Sequence, residues 1–396
     1  MINIQDKLST RLDGLSSTAT REIFKILANK DIISFAGGVP AGDALPLEEI
    51  AEITNEILSD SIKGRQAIQY GITEGTPQLR EQLVEYAKNF GINNIGVSNL
   101  TVISGGQQGL DLAFRAFLDR GDCILVENPT YLSVLMMVKS HGATAIGIKS
   151  KNDGLCLKDL EKKIVSTKPK ILYVVPTFSN PTGRTYSLEN RKAILELCVK
   201  YGVVILEDDP YSMLRYEGEH LPSIKSLDTT GQVIYTASFS KTISPGLRMG
   251  FSIAKEEVLE KMVFIKQGSD LHTPSLSQMI LSEILKRNLV KKTVEKNIPK
   301  YKEKRDIMLS AIKKYMPKNF KHTTPQGGLF VWGEFDTSVD TVLKFNEALE
   351  NKVAYINGTA FFAEKGGRNT LRLNYSAETP ERIEQGIRVL GEVFNS

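Results

Sequence analysis

The amino-acid sequence predicts an α/β fold with a largely parallel sheet, on three observations. Between about residues 100 and 255, short apolar runs alternate with amphipathic segments. The runs are continuous instead of alternating with polar residues, as in strands buried on both faces, and the segments between them suit crossover helices. After about residue 285 the pattern changes to a long charged, helix-like stretch (286–315), followed by strand candidates at 327–332 and 370–374, which predict a second, smaller α+β lobe.

The elements follow in order. The first 45 residues are expected to join the smaller lobe, so the chain divides into 1–45, 46–285 and 286–396. A helix is expected from Thr76 to Gly91: a Thr cap, Pro77 in the first turn, Leu79, Leu83, Tyr86, Ala87 and Phe90 on one face, and a terminating glycine. Seven strand candidates come next, at 101–103, 123–126, 145–148, 171–175, 203–206, 233–235 and 250–253. No repeat, low-complexity tract or Pro/Gly/Ser-rich linker separates the parts.

Composition narrows the function. Fifty Lys and Arg against 46 Asp and Glu leave a formal charge of +4, spread along the chain, so nucleic acid is not the expected partner. No apolar run is long enough to span a bilayer, and the first residues lack the basic-then-apolar pattern of a secretory leader. Cys123, Cys156 and Cys198 are odd in number and show no CxxC spacing, which fits a reducing cytoplasm. The histidines, His141, His220, His272 and His322, are dispersed and read as surface or packing residues, so no metal is expected.

In parallel sheets ligands collect beyond the carboxyl ends of the strands, and four such ends carry chemistry here. After 101–103 come Gly105, Gly106, Gln107 and Gly109 before a helix with Leu110, Phe114, Phe117 and Leu118 on one face. Glycines there let backbone N–H groups approach a phosphate, although GxGxxG is absent and a turn without ligand fits equally. After 171–175 comes Asn180-Pro181, for which a structural turn would suffice. After 203–206 stand Glu207, Asp208 and Asp209, three carboxylates that need a cation, a metal or solvent. After 233–235 stands Lys241, with Ser238, Ser240 and Arg248 nearby. A lysine at an apolar strand end loses its proton readily and forms a Schiff base with a carbonyl, whereas most lysines are simply exposed. Together, a Schiff-base lysine, a phosphate cradle, a carboxylate for a pyridine nitrogen and an Asn with a Tyr for a phenolic oxygen describe a pocket for pyridoxal phosphate.

Through Asn180-Pro181-Thr182-Gly183, Asp208-Asp209-Pro210-Tyr211, and Ser238-Phe239-Ser240-Lys241 with Arg248, the chain resembles the class I/II aminotransferases of fold type I over almost its whole length. Ser34-Phe35-Ala36-Gly37-Gly38-Val39-Pro40, Gln69-Tyr70-Gly71 and Arg372-Leu373-Asn374-Tyr375-Ser376 further resemble the branch of 2-aminoadipate and aromatic aminotransferases, whose catalytic unit also occurs in MocR-type regulators. The resemblance implies a large cofactor-binding domain with a mostly parallel seven-stranded sheet, a smaller α+β domain, pyridoxal 5′-phosphate and a homodimer with shared active sites. It also implies transfer of an amino group from an L-amino acid (2-aminoadipate, aromatic or long aliphatic) to a 2-oxo acid, with 2-oxoglutarate expected, by a ping-pong cycle.

Residue by residue, the resemblance makes Lys241 the cofactor's covalent anchor and proton shuttle, and Asp208 the partner of the ring nitrogen. Asn180 and Tyr211 would bond the ring's 3-oxygen, and Tyr131 would stack on the ring. Gly105, Gly106, Gln107, Ser238, Ser240 and Arg248 would hold the phosphate, joined by Tyr70 of the neighbouring subunit. Arg372 would clamp the substrate α-carboxylate as a planar fork, beside Gly38 and Asn180. Two places depart from the pattern or stay open. Asn357 stands where relatives often have proline, in a loop expected near the substrate, and Arg21 is either a contact for an acidic substrate side chain or a solvated helix residue. The same motifs also suit a carbon–sulfur β-lyase or a non-catalytic ligand sensor.

Overall fold

The computed structural model describes residues 4–12, 29 and 31–396. Its strands in chain order are β1 (Ile33–Ser34), β2 (Leu100–Ile103), β3 (Cys123–Asn128), β4 (Thr144–Lys151), β5 (Gly154–Leu155), β6 (Ile171–Val174) and β7 (Val204–Asp209), then β8 (Val233–Ser238), β9 (Gly250–Ile253), β10 (Lys321–His322), β11 (Phe330–Glu334), β12 (Val353–Ala354), β13 (Ile356–Asn357) and β14 (Thr370–Asn374). The main sheet has the order β2-β9-β8-β7-β6-β3-β4-β5. The links among β4, β3, β6, β7 and β8 are parallel, and β9 runs antiparallel to both β8 and β2.

Both faces of this sheet are covered, which is why its strands read as unbroken apolar runs. Ile124, Val126, Ile171, Tyr173 and Leu206 pack on one face with Leu110 and Phe114 of the helix Gly106–Phe117. Their neighbours Leu125, Leu172, Val174 and Ile205 pack on the other with Leu160, Ile164 and Ile194, from the helices Leu157–Thr167 and Leu188–Tyr201. The sheet has one strand more than the seven expected, because Gly154–Leu155 pairs with the end of β4. Two residues are too few to show a period in sequence.

A four-stranded antiparallel sheet, β10-β11-β14-β13, and the parallel pair β1-β12 share a separate core of Phe35, Ile312, Val331, Leu373 and Ile387. The stretch expected as one helix over 286–315 is divided: one helix ends at Lys286, Asn288 takes a left-handed φ of 54°, and the next runs Leu289–Tyr315. The helix expected from Thr76 is Pro77–Ala87, extended by a 3₁₀ turn Lys88–Phe90 and ended by Gly91 at φ 79°. The Thr76 side chain makes no capping hydrogen bond.

Candidate active site

The carboxyl ends of β6, β7 and β8 and the start of the helix Gly106–Phe117 meet β11 and β14 around a cavity of about 240 Å³. Gly106 and Gln107 line it at the helix start, where the first N–H groups have no partner within the helix. Gly105 precedes them at φ 81°, ψ 162°, a conformation open essentially to glycine alone. A Cβ there would stand 2.2 Å from Nη2 of Arg248, so Gly105 backs the arginine instead of lining the cavity. Arg248 donates from Nη2 to the Ser104 carbonyl at 3.0 Å and from Nη1 to Ser240 Oγ at 3.4 Å, and Ser238 Oγ donates to Ser240 Oγ at 2.9 Å. A guanidinium, two hydroxyls and a helix start facing one space match the donor set of a phosphate group.

Lys241 lies partly buried in the turn after β8 and lines the same cavity. It has no hydrogen bond or ion pair to any described residue, and burial, with the charges of Arg248 and Arg372, brings its amine down to about 8. An amine in that state is a nucleophile near neutral pH.

At the end of β7, strand alternation puts Asp208 on one face and Glu207 and Asp209 on the other. Glu207 accepts the N–H groups of Ile224 and Lys225 at 2.9 and 2.8 Å. Asp209 accepts the Tyr235 hydroxyl at 2.8 Å and the Ser212 N–H at 3.0 Å. Asp208 alone enters the cavity, where Oδ2 accepts the Tyr173 hydroxyl at 2.9 Å. Burial pushes its carboxyl up to about 7, against the lowering effect of the Tyr173 bond.

Across the cavity, β14 presents Arg372, which is 4% exposed. Its Nη1 donates to Asn180 Oδ1 at 2.8 Å, and its Nη2 donates to the carbonyls of Ala36 and Gly37 at 2.6 and 3.0 Å. The buried Nε has no partner, and the guanidinium lies 4.3 Å over the Phe330 ring. Burial brings this guanidinium down to about 10. Gly38, Tyr131 and Tyr211 complete the lining named from the sequence, and burial pushes both phenols up.

Besides Gly105, three expected residues lie elsewhere or undescribed. Tyr70 is 79% exposed, edge-on to His272 at 5.9 Å, and outside the cavity. Asn357 pairs with Leu371 in β13, beside the Ile356–Arg372 pair, and does not itself line the cavity. Arg21 lies outside the described residues. Sequence reasoning missed Tyr173, read only as strand core, and Glu127, directly after the run 123–126. Glu127 is buried and accepts the Ser179 and Tyr186 hydroxyls at 3.2 and 2.6 Å and the Val175 N–H at 3.1 Å. It thereby ties down the loop that carries Asn180, and the strand-end rule would have pointed to it.

Residues 30–390 match the family described as aminotransferase class I and II. The chain belongs to this family. Membership makes it a transaminase that works with pyridoxal phosphate, and the lysine, carboxylate and phosphate-type donors around the cavity fit that group. Among relatives of this aminotransferase, aromatic-amino-acid aminotransferase 1 of Thermococcus litoralis is 38% identical over 99% of this chain and 95% of its own. The 2-aminoadipate transaminase of Thermus thermophilus is 39% identical over 96% and 94%. Among solved structures, the alpha-aminoadipate aminotransferase of Thermus thermophilus, complexed with N-(5′-phosphopyridoxyl)-L-leucine, superposes with a TM-score of 0.92 at 36% identity, covering 100% of this chain and 98% of that one.

Proposed function

We propose that this aminotransferase takes its amino group from an L-amino acid with an aromatic, long aliphatic or 2-aminoadipate side chain and passes it to 2-oxoglutarate by a ping-pong cycle. The observation that carries the reading is the placement of an unpaired Lys241 in one cavity with Asp208 and Arg372. Relatives whose names specify aromatic amino acids and 2-aminoadipate, and a structural neighbour holding a phosphopyridoxyl-leucine, support the donor class.

When bound, pyridoxal phosphate supplies the electron sink that lets the donor's Cα proton leave. The Lys241 amine would anchor the cofactor and, once displaced by the donor's amine, would move the Cα proton across the donor nitrogen to the carbon that carried the cofactor's carbonyl. Asp208 would pair with the ring nitrogen, Asn180 and Tyr211 with the ring's 3-oxygen, and Tyr131 would stack on the ring. Gly106, Gln107, Ser238, Ser240 and Arg248 would hold the phosphate, with Gly105 backing the Arg248 guanidinium. Arg372 turns its fork to the α-carboxylate, beside Gly38 and Asn180. Exposed Tyr70 reaches the phosphate of a neighbouring subunit in a homodimer, and the exposed Ile68 and Ile72 around it support a contact there. Three unpaired cysteines support a cytoplasmic site.

The test is the visible spectrum of the purified protein as donors are added singly without oxo acid. Conversion of the yellow band to the pyridoxamine form by 2-aminoadipate, tyrosine or leucine supports the reading. Pyruvate release from a cysteine conjugate without that conversion favours the β-lyase, and a band unmoved by every donor favours a sensor.

A further inference from the structure

Asp208 is buried, and among the described residues its carboxylate has one side-chain hydrogen-bond donor, the Tyr173 hydroxyl. Asp209 on its own strand, Glu127 on β3 and the phenols of Tyr131 and Tyr211 also act on it, and Lys241, Arg248 and Arg372 line the same cavity without a hydrogen bond or ion pair to it. Tyr173 stands opposite Leu206 in the parallel β6–β7 register, two residues before Asp208 and on the same face. The gap along the strand is about 7 Å, a distance that a side chain as long as tyrosine's bridges. With Oδ2 held in this way, Oδ1 is the free oxygen, and it faces the start of the phosphate-side helix: a Cβ built on Gly106 would stand 3.8 Å from it.

We propose that Tyr173 is the positioning residue of the cofactor site: by binding Oδ2 it fixes the Asp208 carboxylate so that Oδ1 meets the ring nitrogen, and it keeps the carboxylate anionic there. The role rests on the proposed pairing of Asp208 with that nitrogen. A carboxylate without the phenol would be free to rotate and would be the stronger base, drawing the ring's proton toward itself and weakening the electron sink.

The experiment reconstitutes the protein with pyridoxal phosphate carrying ¹⁵N in the ring and records that nitrogen's resonance at neutral pH in wild type, Tyr173→Phe and Asp208→Asn. Tyr173→Phe keeps the ring's packing and removes only the donor. The expected result is a resonance displaced toward the unprotonated value, with kcat down about tenfold and the donor KM within about threefold, since the lost bond acts on the ring's charge more than on substrate binding. Asp208→Asn should displace it further. If Asp208→Asn moves the resonance but Tyr173→Phe leaves both resonance and kcat unchanged, the role of Tyr173 is overturned while that of Asp208 stands. If Asp208→Asn moves nothing, the underlying pairing falls. Should Tyr173→Phe not fold, 3-fluorotyrosine at position 173, a stronger donor of nearly the same shape, must move the resonance the opposite way; no movement overturns the proposal.

Discussion

Replacing Gly105 by alanine should loosen the cofactor without touching it. The new Cβ would lie 2.2 Å from Nη2, 2.7 Å from Cζ and 3.0 Å from Nη1 of Arg248, so the guanidinium must leave its place. It then gives up the Ser104 carbonyl and Ser240, and with them its aim at the phosphate. A charge-assisted bond is worth about 1.5–3 kcal/mol, and because Arg248 is exposed the low end applies, predicting roughly tenfold weaker binding of pyridoxal phosphate. Separately, an L-residue held at φ 81°, ψ 162° costs about 1–3 kcal/mol of stability. Equilibrium dialysis of pyridoxal phosphate against the cofactor-free protein measures the first effect, and urea unfolding of the same sample measures the second. A Gly105→Ala protein that binds the cofactor within twofold of wild type would refute the phosphate role given to Arg248. Unchanged stability would refute the strain.

Lys241→Ala should abolish transamination while leaving the far-ultraviolet circular dichroism unchanged; persistent turnover would remove Lys241 from the chemistry. In the cofactor-free protein the Lys241 amine falls to about 8 from an ordinary 10.5, so the folded state binds fewer protons than the unfolded one between those values, and stability rises with pH across that window. Lys241→Met should therefore raise the melting temperature relative to wild type below pH 8, with the difference shrinking toward pH 10.5; a pH-independent difference would contradict this. Arg372→Lys keeps the charge but loses the fork that meets Asn180, Ala36 and Gly37, and should raise the donor KM about 10- to 100-fold with the cofactor still bound. Steady-state kinetics with the preferred donor checks it, and an unchanged KM would exclude a carboxylate clamp.

The α/β class, the strand runs and the residues just beyond them could be read from the sequence because their signals are local. A strand covered on both faces is apolar at successive positions, and Asp208 and Lys241 stand within two and six residues after such runs. What sequence left open depends on which strand lies beside which, and in what register. That Glu207, Asp208 and Asp209 find three separate sets of partners is decided by the helix and tyrosines packed around β7. That Tyr173 meets Asp208 follows from the β6–β7 alignment, and that Arg372 meets Asn180 follows from the docking of β14 over a loop 192 residues away in sequence. Propensity and burial pattern act within a few neighbours along the chain, whereas these contacts form between segments that only tertiary packing brings together.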